Sequence, residues 1–290
     1  MLRFFCDTDS DITYDIAQKY GCDLISYPYE MKGELVYPYV DYKDFDDKTY
    51  YGILRNGFIP TTSALNEYDF TKAFEPAFEN GDDVIYVHYS RSMSASFNNM
   101  DKAVAELLKK YPERKFYEID TKSMTIGSLA MVLELLDLWK AGKSAEELIK
   151  ASEEIVPHYA TYFFADDLKF FRKSGRVSGL AGIMGNLIGI KPIIYMSAEG
   201  QMTNIGKVKG TKNAIKALGD YLDQLKAADF AKHRIVIGHG DSPELVEKLA
   251  VSLKEKYGDN LDIFICPVNP TAGAHCGPDT IGITFYAIHR

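Results

Sequence analysis

Apolar and polar positions follow two different periodicities along this chain. In the first half, short apolar runs predict strands over residues 2–6, 23–29, 84–87 and 116–119. Between these runs, apolar positions recur at helical spacing and predict helices over residues 12–20, 68–79, 94–110 and 126–140. Strands that alternate with helices are typical of βαβ units. We therefore expect a three-layer α/β/α arrangement around a mostly parallel sheet.

The second half also mixes strands and helices. We predict helices over residues 211–225 and from Pro243 onward, and strands over residues 160–165, 191–196, 234–238, 263–268 and 281–287. Ser242 before Pro243 is a typical helix start. We expect a two-layer α/β domain with a mixed sheet. A boundary near residue 157 then gives two α/β domains, residues 1–157 and 158–290, with the ligand in the cleft between them.

Composition narrows the possible functions. The 290 residues are 46% hydrophobic and carry a net charge of -8, which disfavours nucleic acid and anionic membranes as partners. The first residues lack the apolar core of a signal peptide, and Glu134 and Asp137 interrupt the most apolar helix, so we expect no stable membrane insertion. The 4 cysteines form no C-x-x-C pair and indicate reduced thiols. These features predict a cytoplasmic protein.

The first candidate site follows the first strand, where Asp7, Asp9 and Asp11 stand at alternate positions. Carboxylates at a strand end suit Mg²⁺-dependent phosphoryl transfer, with one of Asp7 and Asp9 as nucleophile and the other as acid and base. The segment resembles motif one of the haloacid-dehalogenase-like phosphatases, and Ser90 and residues 240–242 resemble later motifs. Asp11 departs from that pattern, which has Thr or Val there. The alternative is a polar strand-to-helix cap.

Hydroxyl groups cluster in two further segments. One follows the third predicted strand and contains Ser90, Ser92, Ser94 and Ser96, and the other is Thr61-Thr62-Ser63. Hydroxyl groups and free N–H groups at a helix start can bind an anion such as a carboxylate. In the alternative, Ser92 or Ser94 caps the helix predicted over residues 94–110, and Thr62 and Ser63 cap the helix predicted over residues 68–79. Spacing alone does not separate these two interpretations.

Two glycine-containing segments and one histidine carry weaker signals. Glycines recur from Gly175 to Gly189 without the G-x-G-x-x-G pattern of a dinucleotide site, which favours close helix packing. Residues 238–240 are predicted to form a turn. His275 and Cys276 lie in a predicted turn between the last two strands, and adjacent residues rarely make a catalytic pair. A lone histidine in a loop is usually structural or solvated.

Taken in order, these segments resemble the DegV family of bacterial fatty-acid-binding proteins. The resemblance spans nearly the whole chain and rests on Thr8-Asp9-Ser10, Thr62-Ser63, and residues 93–97, 119–121, 168–178, 190–194 and 275–279. Each motif is weak alone, whereas their shared order is specific. Four residues depart from the family, which has Gly, Thr, Arg and Gly where this chain has Ala95, Ser96, Lys209 and Asp279.

The resemblance implies a non-catalytic lipid carrier, with no cofactor and no metal, that holds one long-chain fatty acid inside the protein. A separate fatty-acid kinase subunit would phosphorylate the buried carboxylate and supply phospholipid synthesis. The residues that the resemblance assigns to the carboxylate are Thr62, Ser63, Ser94, Ser96 and His275. Arg176 and Lys209 would line the approach of the phosphoryl group or the partner.

Physical chemistry gives these assignments a reason. Burying an ionised carboxylate is costly unless hydrogen bonds satisfy it, and hydroxyl groups do so without an arginine ion pair. The tail would supply affinity, at about 0.8 kcal/mol per buried CH₂ group. We expect its walls to come from the strands over residues 162–164 and 193–195 and from the apolar helix that contains Leu129, Leu133 and Leu136.

Overall fold

The computed structural model describes residues 1–38, 46–178 and 189–290. Its strands in these ranges are β1 (Leu2–Asp7), β2 (Asp23–Ile25), β3 (Tyr29–Met31), β4 (Glu34–Val36), β5 (Thr61–Thr62), β6 (Asp83–His88), β7 (Phe116–Asp120), β8 (Tyr159–Phe164), β9 (Val177–Ser178), β10 (Ile190–Met196), β11 (Met202–Lys209), β12 (Ile235–His239), β13 (Ile263–Pro267) and β14 (Ile281–Tyr286). Its helices are α1 (Tyr14–Tyr20), α2 (Asp47–Arg55), α3 (Glu67–Glu79), α4 (Ser96–Lys110), α5 (Ile126–Lys140), α6 (Ala145–Ile155), α7 (Lys169–Ser174), α8 (Thr211–Leu225), α9 (Pro243–Tyr257) and α10 (Pro270–Cys276).

Four strands form a parallel sheet in the order β2-β1-β6-β7. Alternate residues of its strands point to opposite sides, and both sides are buried. Phe5 and Tyr86 share a core with residues of α3 and α4. Phe4 and Ile85 share a second core with residues of α1, α5 and α6. The expected α/β/α arrangement around a parallel sheet is confirmed.

Seven strands form a mixed sheet in the order β13-β12-β14-β8-β10-β11-β9. The strand β12 pairs parallel with β13 and antiparallel with β14, as a mixed sheet requires. One face of this sheet packs against α8 and α9, with Ile237 and Ile283 beside Leu218 and Leu249. The expected mixed sheet of the second half is confirmed, whereas the domain boundary near residue 157 stays a prediction.

The helix α5 packs between the two sheets. It contacts β1 and β6 of the parallel sheet on one side and β8, β12 and β14 of the mixed sheet on the other. Leu129 and Leu136 are fully buried, as expected for a helix that is apolar all round. Within the described ranges, none of the helices combines the length and apolar character needed to span a membrane.

A small antiparallel sheet, β4-β3-β5, was not predicted. The apolar run over residues 23–29 divides into β2, which joins the parallel sheet, and β3, which pairs with β5. Pro28 precedes β3 and has no N–H to donate to a sheet, so one continuous strand is disfavoured there. The division places Thr62 of β5 opposite Tyr29 of β3.

The predicted start of α9 at Pro243 is confirmed, whereas the start of α1, the cap of α9 and the turn at His275 differ from the prediction. The helix α1 begins at Tyr14, where the Thr13 side chain accepts a hydrogen bond from the N–H of Ile16. Ser242 makes no side-chain cap for α9, because its hydroxyl donates to Asp279. The predicted turn that contains His275 is the helix α10. The signal for that helix was Asn269 before Pro270, a cap followed by proline in the first turn.

Candidate functional site

A cavity lies between the mixed sheet, the start of α5, the helix α10 and the serine turn, which we define as residues 90–96. It offers about 180 Å³ to the centres of water-sized groups. One water needs roughly 10–15 Å³ of such space, so the cavity has room for a ligand much larger than one water. Polar residues named from the sequence line part of its wall, namely Thr62, Ser63, Ser94, Arg176 and His275.

Thr62 and His275 meet across the cavity wall although 213 positions separate them. The Thr62 Oγ1 atom lies 3.0 Å from Nε2 of His275. The strand β5 holds Thr62 beside β3, and the N-terminal cap of Asn269 fixes the start of the helix that carries His275. Burial, with a contribution from the charge of Arg176, lowers the pKa of His275 to about 4. The imidazole is therefore neutral at neutral pH.

Ser94 and Ser96 of the serine turn make different contacts. Ser94 lines the cavity, and its Oγ atom lies 3.0 Å from the Oγ atom of Ser96. Ser96 is fully buried, and its hydroxyl accepts a hydrogen bond from the N–H of Leu65 at 3.0 Å. Ser96 is not among the residues that line the cavity. Of the two predicted ligands in the serine turn, Ser94 is placed to reach a bound molecule, whereas Ser96 joins α4 to the segment before α3.

The other two serines attach the serine turn to the mixed sheet. The hydroxyl of Ser90 donates to the carbonyl oxygen of Gly200 at 2.7 Å, and that of Ser92 donates to the carbonyl oxygen of Glu199 at 2.7 Å. Gly200 has a φ of +78°, and a Cβ atom there would lie 2.2 Å from the Ser90 hydroxyl. The turn between β10 and β11 therefore requires a glycine at this contact.

Hydrogen bonds and ion pairs among Arg91 of the serine turn and residues of β6, β7 and α4 hold the turn in place. The sequence analysis did not identify this network. Glu118 of β7 receives a hydrogen bond from Arg91 at 2.9 Å, and Nε2 of His88 lies 2.8 Å from its carboxylate. Burial opposes ionisation of Glu118, but the hydrogen bonds from His88 and Arg91 lower its pKa to about 2. Arg91 also pairs with Asp101 at 2.6 Å. This network fixes the residues just before Ser94.

The rest of the cavity wall is largely apolar. It includes Met93, Met124, Ile126, Phe163, Phe171, Met196, Met202 and Val268. Of the two strands predicted to form the wall, the one over residues 162–164 supplies Phe163, whereas none of residues 193–195 lines the cavity and Met196 next to them does. The predicted helix α5 contributes Ile126 from its first turn, but Leu129, Leu133 and Leu136 do not line the cavity and pack in the core between the sheets.

Two glycines allow α5 to approach the sheet. Gly238 and Gly282 are partners in neighbouring strands, and both line the cavity. A Cβ atom would lie 2.4 Å from a side-chain carbon of Ile126 at Gly238, and 2.8 Å from another at Gly282. Any larger residue at these positions would fill the cavity or displace the start of α5.

The carboxylate of Asp7 is fully occupied by structural hydrogen bonds. It accepts from the N–H and hydroxyl of Ser10 at 2.8 and 2.9 Å, from the hydroxyl of Tyr86 at 3.0 Å and from the N–H of Tyr89 at 3.2 Å. Its side chain is fully buried. These bonds leave no lone pair directed at a substrate, so the geometry does not support the phosphatase alternative. Among the described residues, no cluster of three potential metal ligands occurs.

The other residues of the phosphatase pattern have structural roles as well. Asp241 forms an ion pair with Arg55 of α2, and Asp279 pairs with the same guanidinium group at 2.8 Å. The Ser242 hydroxyl donates to Asp279 at 2.8 Å. Asp279 adds a negative charge near His275 in sequence, and Arg55 forms an ion pair with it. Neither Asp279 nor Arg55 lines the cavity.

Arg176 and Lys209 occupy separate places. Arg176 lines the cavity just before β9, which pairs with β11 at Thr203 and Ser178. Lys209 is exposed at the far end of β11, roughly 20 Å from Thr203 at the usual rise of about 3.3 Å per strand residue. The two basic residues therefore do not form one cluster. Gly179, Gly182 and Gly185 of the predicted small-residue helix lie outside the described residues.

A parallel sheet and a mixed sheet with helices packed against them define the fold, and a cavity beside the mixed sheet, with a wall that is partly polar and largely apolar, defines the site. The chain belongs to the DegV family, because the model of that family, described as an uncharacterised protein, matches residues 2–287. The DegV domain-containing protein CPE0026 of Clostridium perfringens is 32% identical over 249 residues, or 85% of each chain.

Solved structures share the fold over the whole chain. A DegV lipid binding protein from Thermotoga maritima has a TM-score of 0.82 at 23% identity, and the match covers 100% of this chain and 99% of that one. A DegV family protein from Eubacterium eligens, loaded with heptadecanoic acid, has a TM-score of 0.82 at 21% identity and coverage of 99% and 100%. The family and the two-sheet architecture expected from the sequence are confirmed.

Proposed function

We propose that this protein binds one long-chain fatty acid in the cavity, with the carboxylate beside Thr62, Ser94 and His275, and does not transform it. The observation that carries the proposal is the cavity itself, which joins a largely apolar wall to neutral hydrogen-bonding groups. The heptadecanoic acid held by the Eubacterium eligens relative supports a ligand of this class.

The proposed carboxylate site relies on neutral donors. The neutral His275 holds the hydroxyl of Thr62 at 3.0 Å, so the histidine and the hydroxyl act as a unit. Hydrogen bonds to a charged group contribute about 1.5–3 kcal/mol each, more than those between neutral groups. We assign the carboxylate to Thr62 and Ser94, with Ser63 beside them on the cavity wall. Ser96 supports this arrangement through Leu65 and Ser94.

Membership of the DegV family also supports a proposal about what happens to the bound fatty acid. We propose that a separate fatty-acid kinase phosphorylates the bound carboxylate in the bacterial cytoplasm and feeds phospholipid synthesis. Arg176 lies on the cavity wall, where its positive charge suits an incoming phosphoryl group. Lys209 is exposed and far from Arg176, so we assign it to the surface that meets the kinase. A lysine there offers a point charge without the bidentate fork of arginine.

The double change Thr62→Val with Ser94→Ala tests the carboxylate site. Removing two hydrogen bonds to a charged group should weaken binding of palmitic acid at least tenfold. Delipidated protein would be titrated with palmitic acid in competition with a fluorescent fatty acid. The matched control is Ser92→Ala, which removes a hydroxyl of the same turn that binds Glu199 and does not line the cavity.

The control should bind palmitic acid as the unchanged protein does. Circular dichroism and urea unfolding would show whether each variant is folded. A folded double variant with unchanged affinity would contradict the assignment of Thr62 and Ser94. Hydrolysis of small phosphate esters that requires Mg²⁺ and is lost in Asp7→Asn would contradict the proposal that the protein is a carrier.

A further inference from the structure

Asp11 contacts a residue 258 positions away in the chain. Its Oδ1 atom accepts a hydrogen bond from the backbone N–H of Asn269 at 2.9 Å and another from the side-chain Nδ2 atom of the same residue at 2.7 Å. Both residues are buried, with 2% of Asp11 and 0% of Asn269 exposed. One carboxyl oxygen thus holds the backbone and the side chain of Asn269 together.

Asn269 is the N-terminal cap of α10. Its Oδ1 atom accepts a hydrogen bond from the N–H of Ala272 at 2.9 Å. A side-chain amide has one donor end and one acceptor end, so an amide whose nitrogen is bound by Asp11 presents its oxygen to the helix. A helix of 7 residues has few hydrogen bonds of its own and depends strongly on its cap. The carboxyl group of Asp11 therefore orients the group that starts α10.

The helix α2 supports the same region in a different way. The hydroxyl groups of Tyr50 and Tyr51 donate to the carbonyl oxygens of Pro270 and Val268, at 2.6 and 2.9 Å. These bonds hold the backbone on either side of Asn269, but they do not involve its N–H or its side-chain amide. The contact with the carboxyl group is what orients the cap.

The helix α10 carries four residues of the cavity wall, namely Thr271, Ala272, His275 and Cys276. His275 follows Ala272 by three residues, about 4.5 Å along the helix axis. Its Nε2 atom lies 3.0 Å from Oγ1 of Thr62, and a hydrogen bond weakens steeply when its geometry changes. A displaced start of α10 would therefore separate His275 from Thr62.

The acidic segment at the end of β1 contacts two other elements of the cavity as well. The carboxylate of Asp7 accepts a hydrogen bond from the N–H of Tyr89, directly before the serine turn, at 3.2 Å. The carbonyl oxygen of Asp9 accepts from the N–H of Thr125, directly before α5, at 2.8 Å. Together with Asp11, these residues hold the serine turn, α5 and α10 around one cavity.

We propose that Asp11 is a positioning residue of the fatty-acid site: it orients Asn269, and through this cap it places His275 beside Thr62. Asp11 itself is not among the residues that line the cavity. Its effect on a bound fatty acid therefore passes through α10. The inference rests on the proposed fatty-acid binding and extends the site to a residue outside the cavity.

Two substitutions of similar size test this role, with palmitic acid in competition against a fluorescent fatty acid. Asp11→Leu removes the acceptor of both hydrogen bonds and should weaken binding about tenfold, because His275 leaves its place. Asp11→Asn keeps an acceptor oxygen for Asn269 and should bind within about twofold of the unchanged protein. The matched control is Ser128→Ala, which removes a buried 2.8 Å hydrogen bond of α5 outside the cavity lining and should leave the affinity unchanged.

A second readout needs no ligand and separates positioning from a general loss of stability. The histidines would be labelled with ¹⁵N for NMR, and the signals of His275 identified by their absence in His275→Gln. In Asp11→Leu, the ring signals of His275 should move toward those of an exposed histidine. In Asp11→Asn and Ser128→Ala they should stay in place. Urea unfolding shows whether each variant is folded.

Asn269→Ala breaks the same contact from the other side and keeps Asp11. It should weaken binding and move the His275 signals as Asp11→Leu does. The double variant should lose no more affinity than either single variant, because the two residues act through one contact. Losses that multiply in the double variant would show that the residues act independently and would overturn the inference.

Unmoved His275 signals or an unchanged affinity in Asp11→Leu would also overturn it, and Asn269→Ala decides in the same way if Asp11→Leu does not fold. Failure of the unchanged protein to bind palmitic acid would overturn the proposed function. The His275 signals would still test whether Asp11 places the helix, so the two failures can be distinguished.

Discussion

Replacing His275 with glutamine removes a titratable group whose protonation differs between the folded and unfolded protein. In the folded protein, burial and the charge of Arg176 lower the pKa of His275 to about 4. In the unfolded chain its pKa returns to about 6.5. As the pH falls from about 6.5 to about 4, the unfolded chain binds a proton that the folded protein does not. His275 therefore makes the folded protein less stable across that range.

The size of the effect follows from the shift. One pKa unit corresponds to about 1.4 kcal/mol, so lowering the pKa from 6.5 to about 4 gives a loss of about 3 kcal/mol between neutral pH and pH 4. Asp11 acts in the opposite direction, because burial raises its pKa to about 7 and its folded form gains stability as the pH falls. The difference between the unchanged protein and His275→Gln cancels Asp11 and isolates the histidine.

Urea unfolding of delipidated protein at neutral pH and at pH 4 measures this difference. We expect the unchanged protein to lose about 3 kcal/mol more than the variant over that range. The slope of unfolding free energy against urea should be the same for both proteins, which shows that the two unfold alike. If both proteins lose the same free energy, His275 is not held neutral by burial and the hydrogen-bonded unit with Thr62 is wrong.

Two further changes test the packing around the cavity. Gly282→Val should reduce fatty-acid affinity at least tenfold and the free energy of unfolding by about 1–3 kcal/mol, because a Cβ atom there would lie 2.8 Å from Ile126. Competition titration measures the affinity and urea unfolding measures the stability. An unchanged affinity would contradict the assignment of Gly282 to the cavity wall. Gly219→Ala, which has open space, is its control. Ser90→Ala leaves the Gly200 carbonyl without its 2.7 Å hydrogen bond and should cost about 1–3 kcal/mol; a loss below about 0.5 kcal/mol on urea unfolding would show that this contact does not hold the serine turn.

The regular elements could be predicted where local pattern decides the structure. The bounds of α5 and α8 match the predicted ranges, because α5 is a long, almost wholly apolar segment and α8 has apolar residues at helical spacing. The parallel sheet followed from the alternation of strands and helices. The small sheet and α10 could not be found this way, since β5 has only two residues and α10 only seven.

The site was predictable only in part, for a physical reason. The order of the motifs pointed to Thr62, Ser94 and His275, but the contact between Thr62 and His275 joins residues 213 positions apart. Periodicity carries no information on such a contact. The same limit explains why Asp9 was first interpreted as a candidate for metal chemistry. The burial of Asp9 appears only in the fold, where it raises the pKa of Asp9 well above the ordinary value, with smaller contributions from Asp7 and Asp11.

Native mass spectrometry of protein purified from an ordinary bacterial host tests the central claim most directly, with extraction and identification of anything bound. The account predicts a one-to-one complex with a long-chain fatty acid, and loss of that mass in the double variant Thr62→Val with Ser94→Ala. A mass without lipid that stays unchanged after incubation with palmitic acid would contradict it.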